Sequence, residues 1–123
     1  MLPLKALIWE NELDHAELYE YHLEKLGYEV ICVNAEEELV EISLQIRPAV
    51  ILIGNCSSAS AKEHICMELN RLGVNSTAKI ICTFLEQELL ARNCCEGTQV
   101  CVPISTKIKD IMSLVNESPR QVA

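Results

Sequence analysis

Three groups of residues have the side chains to do chemistry. Glu10-Asn11-Glu12 follows the apolar run Ala6-Leu7-Ile8-Trp9 and offers two carboxylates. Oxygen donors of that kind suit a hard cation such as Mg²⁺. Acids in succession at the end of an apolar run are more often simply solvated, so Glu10 and Glu12 are weak metal candidates and no metal site is expected. The second group is sulfur: the chain has seven cysteines, with Cys56 just after Gly54-Asn55 and a vicinal pair at Cys94-Cys95. A reactive thiol needs exposure and a lowered pKa, and no Lys or Arg is adjacent to Cys56. The third group is His15, His22 and His64, which share no zinc-ligand spacing. No Gly-rich phosphate loop and no nucleophile elbow occurs. No catalytic residue and no cofactor follow from these residues.

The cysteine count also bears on compartment. Seven is odd, and no C-x-x-C pair is present. Cys32, Cys82 and Cys101 lie inside apolar runs, where a reduced thiol behaves as a small hydrophobe, as in a reducing compartment. Ten Lys and Arg stand against eighteen Asp and Glu, a formal charge of −8. That balance and the absence of a basic stripe argue against nucleic-acid binding, which needs clustered cations. No apolar run approaches the roughly 18 residues of a membrane span, and the first residues lack a signal-peptide layout. The expectation is a soluble, cytoplasmic domain. At 123 residues, half of them apolar, the chain can bury one core.

The candidate residues need elements to position them, and the chain alternates two kinds. Ala6–Trp9, Tyr28–Val33, Val50–Ile53, Lys79–Thr83 and Gln99–Val102 read as strands. Val50-Ile51-Leu52-Ile53 is continuous and mostly β-branched, as a central strand covered on both faces should be. Between the strands lie helical rhythms. Leu13–Leu26 puts Ala16, Tyr19, Leu23 and Leu26 on one face, with Asp14 as cap, Glu17 reaching back, Leu13 and Leu18 as a staple, and Gly27 as the stop. Asn34 caps a second helix, with Glu37 following and Leu39, Ile42 and Ile46 inward, ended by Arg47-Pro48. Gly54–Ser60 is a polar loop. Ala61–Leu72 turns Ile65, Leu69 and Leu72 inward and ends at Gly73. Glu86–Asn93 is a short fourth helix. Ser105 caps a last helix with Ile108, Ile111, Met112 and Val115 inward. Residues 4–117 form the domain, and 118–123 are a polar tail or the start of a linker.

Five strands alternating with five helices imply a parallel sheet with helices on both faces: a three-layer α/β/α fold. The expected strand order is the flavodoxin-like 2-1-3-4-5, although the element pattern alone also fits other three-layer orders. In such sheets sites form at the carboxyl ends of the strands. Those ends carry Glu10-Asn11-Glu12, Gly54-Asn55, Thr83-Phe84 and Val102-Pro103.

At these positions the chain resembles the receiver domains of bacterial response regulators. Leu7-Ile8-Trp9-Glu10-Asn11-Glu12 resembles the family's first strand with its acidic pair. Leu26-Gly27-Tyr28-Glu29-Val30 matches the end of the first helix and the second strand. Arg47-Pro48-Ala49-Val50-Ile51-Leu52-Ile53 is similar to the approach to the phosphoacceptor, and Ile80-Ile81-Cys82-Thr83 to the fourth strand. Val102-Pro103-Ile104 matches the Lys-Pro-hydrophobic signature without its Lys. The resemblance implies a pocket in which an Asp attacks a phosphoryl group, two acids help hold Mg²⁺, and a Lys and a Thr or Ser contact the phosphoryl oxygens.

Carried over residue by residue, that pocket is degenerate. The phosphoacceptor position falls on Gly54, or on Asn55 with a one-residue slip. The acid pair becomes Glu10 and Asn11, the Lys becomes Val102, and Thr83 alone matches. The aromatic of the family's fifth strand falls near Gln99. The resemblance therefore implies a pseudo-receiver in signal transduction. It is not an enzyme and acts through protein–protein contact. Its partner is a histidine kinase or an output domain of a longer chain, and a homodimer is a further option. The family's contact face, the fourth helix, fifth strand and fifth helix, maps to Glu86–Ala91 and Gln99–Ser113. The alternative is a redox or small-ligand sensor on the same scaffold, using Cys56, Cys94 or Cys95.

Overall fold

The structure, a computed structural model, describes residues 4–54, 59–85 and 99–117. Its frame is set by five apolar segments: β1 (Lys5–Trp9), β2 (Glu29–Val33), β3 (Val50–Ile53), β4 (Lys79–Phe84) and β5 (Gln99–Pro103). They pair in parallel in the order β2-β1-β3-β4-β5. The three middle strands lack polar alternation because both of their faces are covered. Leu7 and Ile8, Ile51 and Leu52, and Ile80 and Ile81 point to opposite faces and are fully buried.

Helices cover both faces. α2 (Glu36–Ile46) and α3 (Ala59–Arg71) lay Leu39, Ile65, Cys66 and Leu69 on Leu7, Ile51, Ile53, Ile80 and Phe84. α1 (Leu13–Lys25) and α4 (Ile108–Asn116) lay Tyr19, Leu23, Ile111, Met112 and Val115 on Ile8, Leu52 and Ile81. A single 3₁₀ turn, Val74–Ser76, leads into β4. This is the three-layer flavodoxin-like arrangement. No helix among the described residues is long and apolar enough to cross a membrane.

The helix starts differ from the expected caps. α1 begins at Leu13 with Glu12 at its N-cap, so Asp14 lies inside the first turn. Leu13, Leu18 and Leu26 are exposed, so the expected staple does not form. α2 starts after Ala35, and Asn34 acts through its backbone: its N–H donates to Glu38 Oε1 at 2.9 Å. α3 starts at Ala59, two residues early, and Lys107 rather than Ser105 is the N-cap of α4. In each case the apolar stripe packed on the sheet fixes where the helix runs, and cap chemistry worth about 1 kcal/mol yields to it. Arg47 ends α2 in a left-handed conformation, φ 50°, just before Pro48. The expected helix at 86–93 and the tail from 118 lie outside the described residues.

Lys79 ties β4 to α4. Its Nζ donates to the Leu114 carbonyl at 2.6 Å and stands 3.5 Å from Glu117 Oε1. A cation at a helix C-terminus completes carbonyls that lack intrahelical partners.

Candidate functional site

The strand register brings four of the singled-out positions into one row. Trp9 pairs with Ile53, Ile53 with Cys82, and Thr83 with Val102. One step beyond the first two pairs, Glu10, Gly54, Thr83 and Val102 stand side by side at the carboxyl ends of β1, β3, β4 and β5. Successive side chains alternate along a strand. Glu10, Gly54 and Thr83 therefore share the face of Ile8, Leu52 and Ile81, beneath α1 and α4.

Glu10 and Gly54 fit one another. Glu10 is 7% exposed, and its Oε2 accepts the backbone N–H of Glu12 at 3.0 Å. A Cβ added to Gly54 would overlap Glu10 Oε1 outright and stand 2.8 Å from its Cδ. Gly54 is not among the residues with positive φ, so its backbone does not demand glycine. The space does: the longer Glu folds back over β3 and fills the volume that a side chain at position 54 would occupy.

The rest of the row is apolar or turned to the backbone. Thr83 is 1% exposed, and its hydroxyl donates to the Ile53 carbonyl at 3.5 Å. Val102 packs in the apolar cluster with Ile111 and Met112. Asn11 and Glu12 are exposed, and Glu12 stands 3.9 Å from His15 Nδ1. Among the described residues no three His, Cys, Asp or Glu come together as metal ligands. Asn55 lies outside the described residues, as does the side chain of Gln99.

One residue at the site escaped the sequence reading. Lys62 on α3 is 3% exposed; its Nζ donates to the Thr83 carbonyl at 2.5 Å and stands 5.2 Å from the centre of the Phe84 ring. Its signal was positional. Lys62, Ile65, Cys66 and Leu69 follow the i, i+3, i+4, i+7 spacing of the inward stripe, so a lysine there must reach the strand ends. Counting only apolar residues hides it.

Glu10 is also felt by α1. Burial pushes the Tyr19 phenol up to about 12, and the nearby Glu10 charge adds to the shift. Tyr19 lines a cleft of about 90 Å³ with His15, Leu18, Ile104, Thr106 and Ile108, between α1 and the turn into α4.

The thiols divide by position. Cys66 and Cys82 are buried and Cys32 is exposed, and none of the three is disulfide-bonded. Burial holds the Cys32 thiol above its ordinary value, with Glu20 and Glu24 adding to the rise, the opposite of what a reactive thiol needs. Cys101, expected as a reduced core thiol, is disulfide-bonded. Cys56, Cys94 and Cys95 lie outside the described residues.

No family model and no curated protein matches the sequence. Solved structures do match. The signal receiver domain of a protein assigned as a LuxO repressor, from Vibrio parahaemolyticus, aligns with a TM-score of 0.71 at 12% identity, covering 93% of this chain and 88% of that one. A response regulator receiver domain protein from Bacillus halodurans aligns with a TM-score of 0.65 at 16% identity, covering 94% and 96%. The response regulator TrrA from Thermotoga maritima, solved with Mg²⁺ and beryllofluoride, aligns with a TM-score of 0.69 at 14% identity, covering 90% and 98%. The chain has the fold of response regulator receiver domains.

Proposed function

We propose that the chain is a pseudo-receiver: a signalling domain that does not take a phosphoryl group by aspartate chemistry, catalyses nothing itself and acts by binding other proteins. One observation carries the reading. The place of the acceptor side chain is filled by the carboxylate of Glu10 lying on Gly54. Val102 at the lysine position and a Thr83 hydroxyl turned to the backbone support it. Fold alone does not fix function, so the argument rests on this row of residues.

The proposed partner is a histidine kinase or an output domain in a two-component type of pathway, reached through β5 and α4. Lys107, Lys109, Asp110 and Ser113 are exposed there and free to meet a protein surface. The test is an amide NMR titration with Mg²⁺ plus beryllofluoride, a phosphoryl mimic. The resonances of Glu10, Gly54 and Thr83 are expected to stay in place. Shifts clustered on those residues would sink the reading.

A further inference from the structure

β2 lies at an edge of the sheet and pairs with β1 alone. Glu29 N–H donates to the Leu4 carbonyl at 2.8 Å, toward β1. Successive residues of a strand turn their N–H and C=O to opposite sides. Glu29, Ile31 and Val33 therefore serve β1, and Val30 and Cys32 turn theirs outward. The flanks of this window are closed: Tyr28 N–H donates to the Leu23 carbonyl at 3.1 Å, and Asn34 N–H to Glu38 Oε1 at 2.9 Å. Among the described residues nothing pairs with the outward backbone groups of Val30 and Cys32. Such groups are a template for another strand, and edges are commonly blunted by Lys, Pro or a bulge. Glu29-Val30-Ile31-Cys32-Val33 has no Lys and no Pro, and it runs in unbroken register with Lys5–Trp9.

The two faces beside this edge differ in chemistry. Cys32 pairs with Ile8, so its side chain stands on the α1 face. There Glu20 and Glu24, one helical turn apart on α1, are close enough for their charges to act on the Cys32 thiol. Among the described residues no Lys, Arg or His lies within 4.0 Å of either carboxylate. The nearby cations are engaged elsewhere: Lys5 is held by Glu29 at 2.9 Å, and Lys25 stands over the Tyr21 ring. Ile31 pairs with Leu7 and stands on the α2 face, where it and Val40 are half-buried and apolar.

We propose that the β2 edge is a docking site for an extended basic segment of a partner protein, added as a strand against Val30 and Cys32. Its cations face Glu20 and Glu24, and its alternate, apolar residues face Ile31. In this mode backbone bonds supply affinity and alternate side chains supply specificity. Charge selects the occupant. A second copy of the chain would bring its own Glu20, Glu24 and Glu29 to the same place, and like charges across a strand pair oppose one another. The site is at the opposite edge of the sheet from β5, and it does not rest on the pseudo-receiver reading.

Two peptides test it by amide NMR on the ¹⁵N-labelled chain: acetyl-Lys-Val-Lys-Val-Lys-Val-amide and its counterpart with Glu in place of Lys. The lysine peptide is expected to shift the Val30 and Cys32 amides and to slow their hydrogen exchange. It should bind about tenfold more tightly than the glutamate peptide, and the difference should shrink as salt is raised. Glu20→Lys combined with Glu24→Lys should reverse the preference. Unmoved Val30 and Cys32 amides at millimolar peptide, equal binding of the two peptides, or an unchanged preference in the charge-reversed variant would each overturn the proposal. Sedimentation of the parent chain as a dimer with protected β2 amides would overturn it too, because the occupant is then a second copy. Beryllofluoride shifts at Glu10, Gly54 and Thr83 would remove the pseudo-receiver reading and leave this site untouched.

Discussion

The carboxylate of Glu10 lies in the space above Gly54 that a methyl group there would need. Gly54→Ala is therefore expected to expel Glu10 from its seat and break its bond from Glu12 N–H. The cost should be about 1–2 kcal/mol, that of a displaced buried polar group. Glu10→Ala combined with Gly54→Ala should recover most of it, since the added methyl then fills space that the first change vacates. Urea unfolding of the three variants checks this. Equal losses in Gly54→Ala with and without Glu10 would show that the fit does not matter.

Tyr19 links that seat to alkaline stability. The unfolded chain releases its phenolic protons near 10, whereas folded Tyr19 holds its proton to about 12. Its contribution is whole below pH 10 and is lost as the pH rises toward 12. Absorbance at 295 nm should resolve one of the three tyrosines titrating near 12. Glu10→Gln should bring that step down only part of the way, because burial is the larger cause.

The expected caps at Asp14, Asn34 and Ser105 were named by residue type, yet the helices start elsewhere. Both packed faces were legible because continuous apolar runs and 3.6-residue stripes report burial directly; the strand order was not, since the element pattern alone fits several three-layer orders. The row of strand-end positions Glu10, Gly54, Thr83 and Val102 was reached through the receiver resemblance. The seating of Glu10 on Gly54 was not, because it depends on a side chain folding across to a neighbouring strand. Lys62 lies on the i, i+3, i+4, i+7 stripe with Ile65, Cys66 and Leu69, so spacing alone places it inward.

Thiol labelling with peptide-resolved mass spectrometry should rank the described cysteines that are not disulfide-bonded. Cys32 is expected to react in the folded protein, and Cys66 and Cys82 only after unfolding. Cys32 should nevertheless be slow at pH 8, because its raised pKa leaves less thiolate. Glu20→Gln or Glu24→Gln should speed it by roughly two- to fivefold, given exposed charges acting through water. Fast labelling of Cys32 in the parent chain would contradict this account.

The clasp between Lys79 and α4 predicts a local effect. Lys79→Met removes the donor to the Leu114 carbonyl and the charge facing Glu117. The expected loss is about 1 kcal/mol, typical of one charge-assisted bond at a helix C-terminus. Hydrogen exchange should quicken in the last turn of α4, at Leu114 to Glu117, before it changes in β4. Uniform acceleration across the sheet would mean that the contact is not local.

The mutual fit of Glu10 and Gly54 also sets an order on sequence change. A single substitution of Gly54 by Asp would place a second carboxylate into space already taken, and like charges would meet in a buried site. The substitution becomes tolerable only once Glu10 has been shortened or removed. Placing an acidic side chain at position 54 is thus epistatic: the change has two steps, and the one at Glu10 must come first.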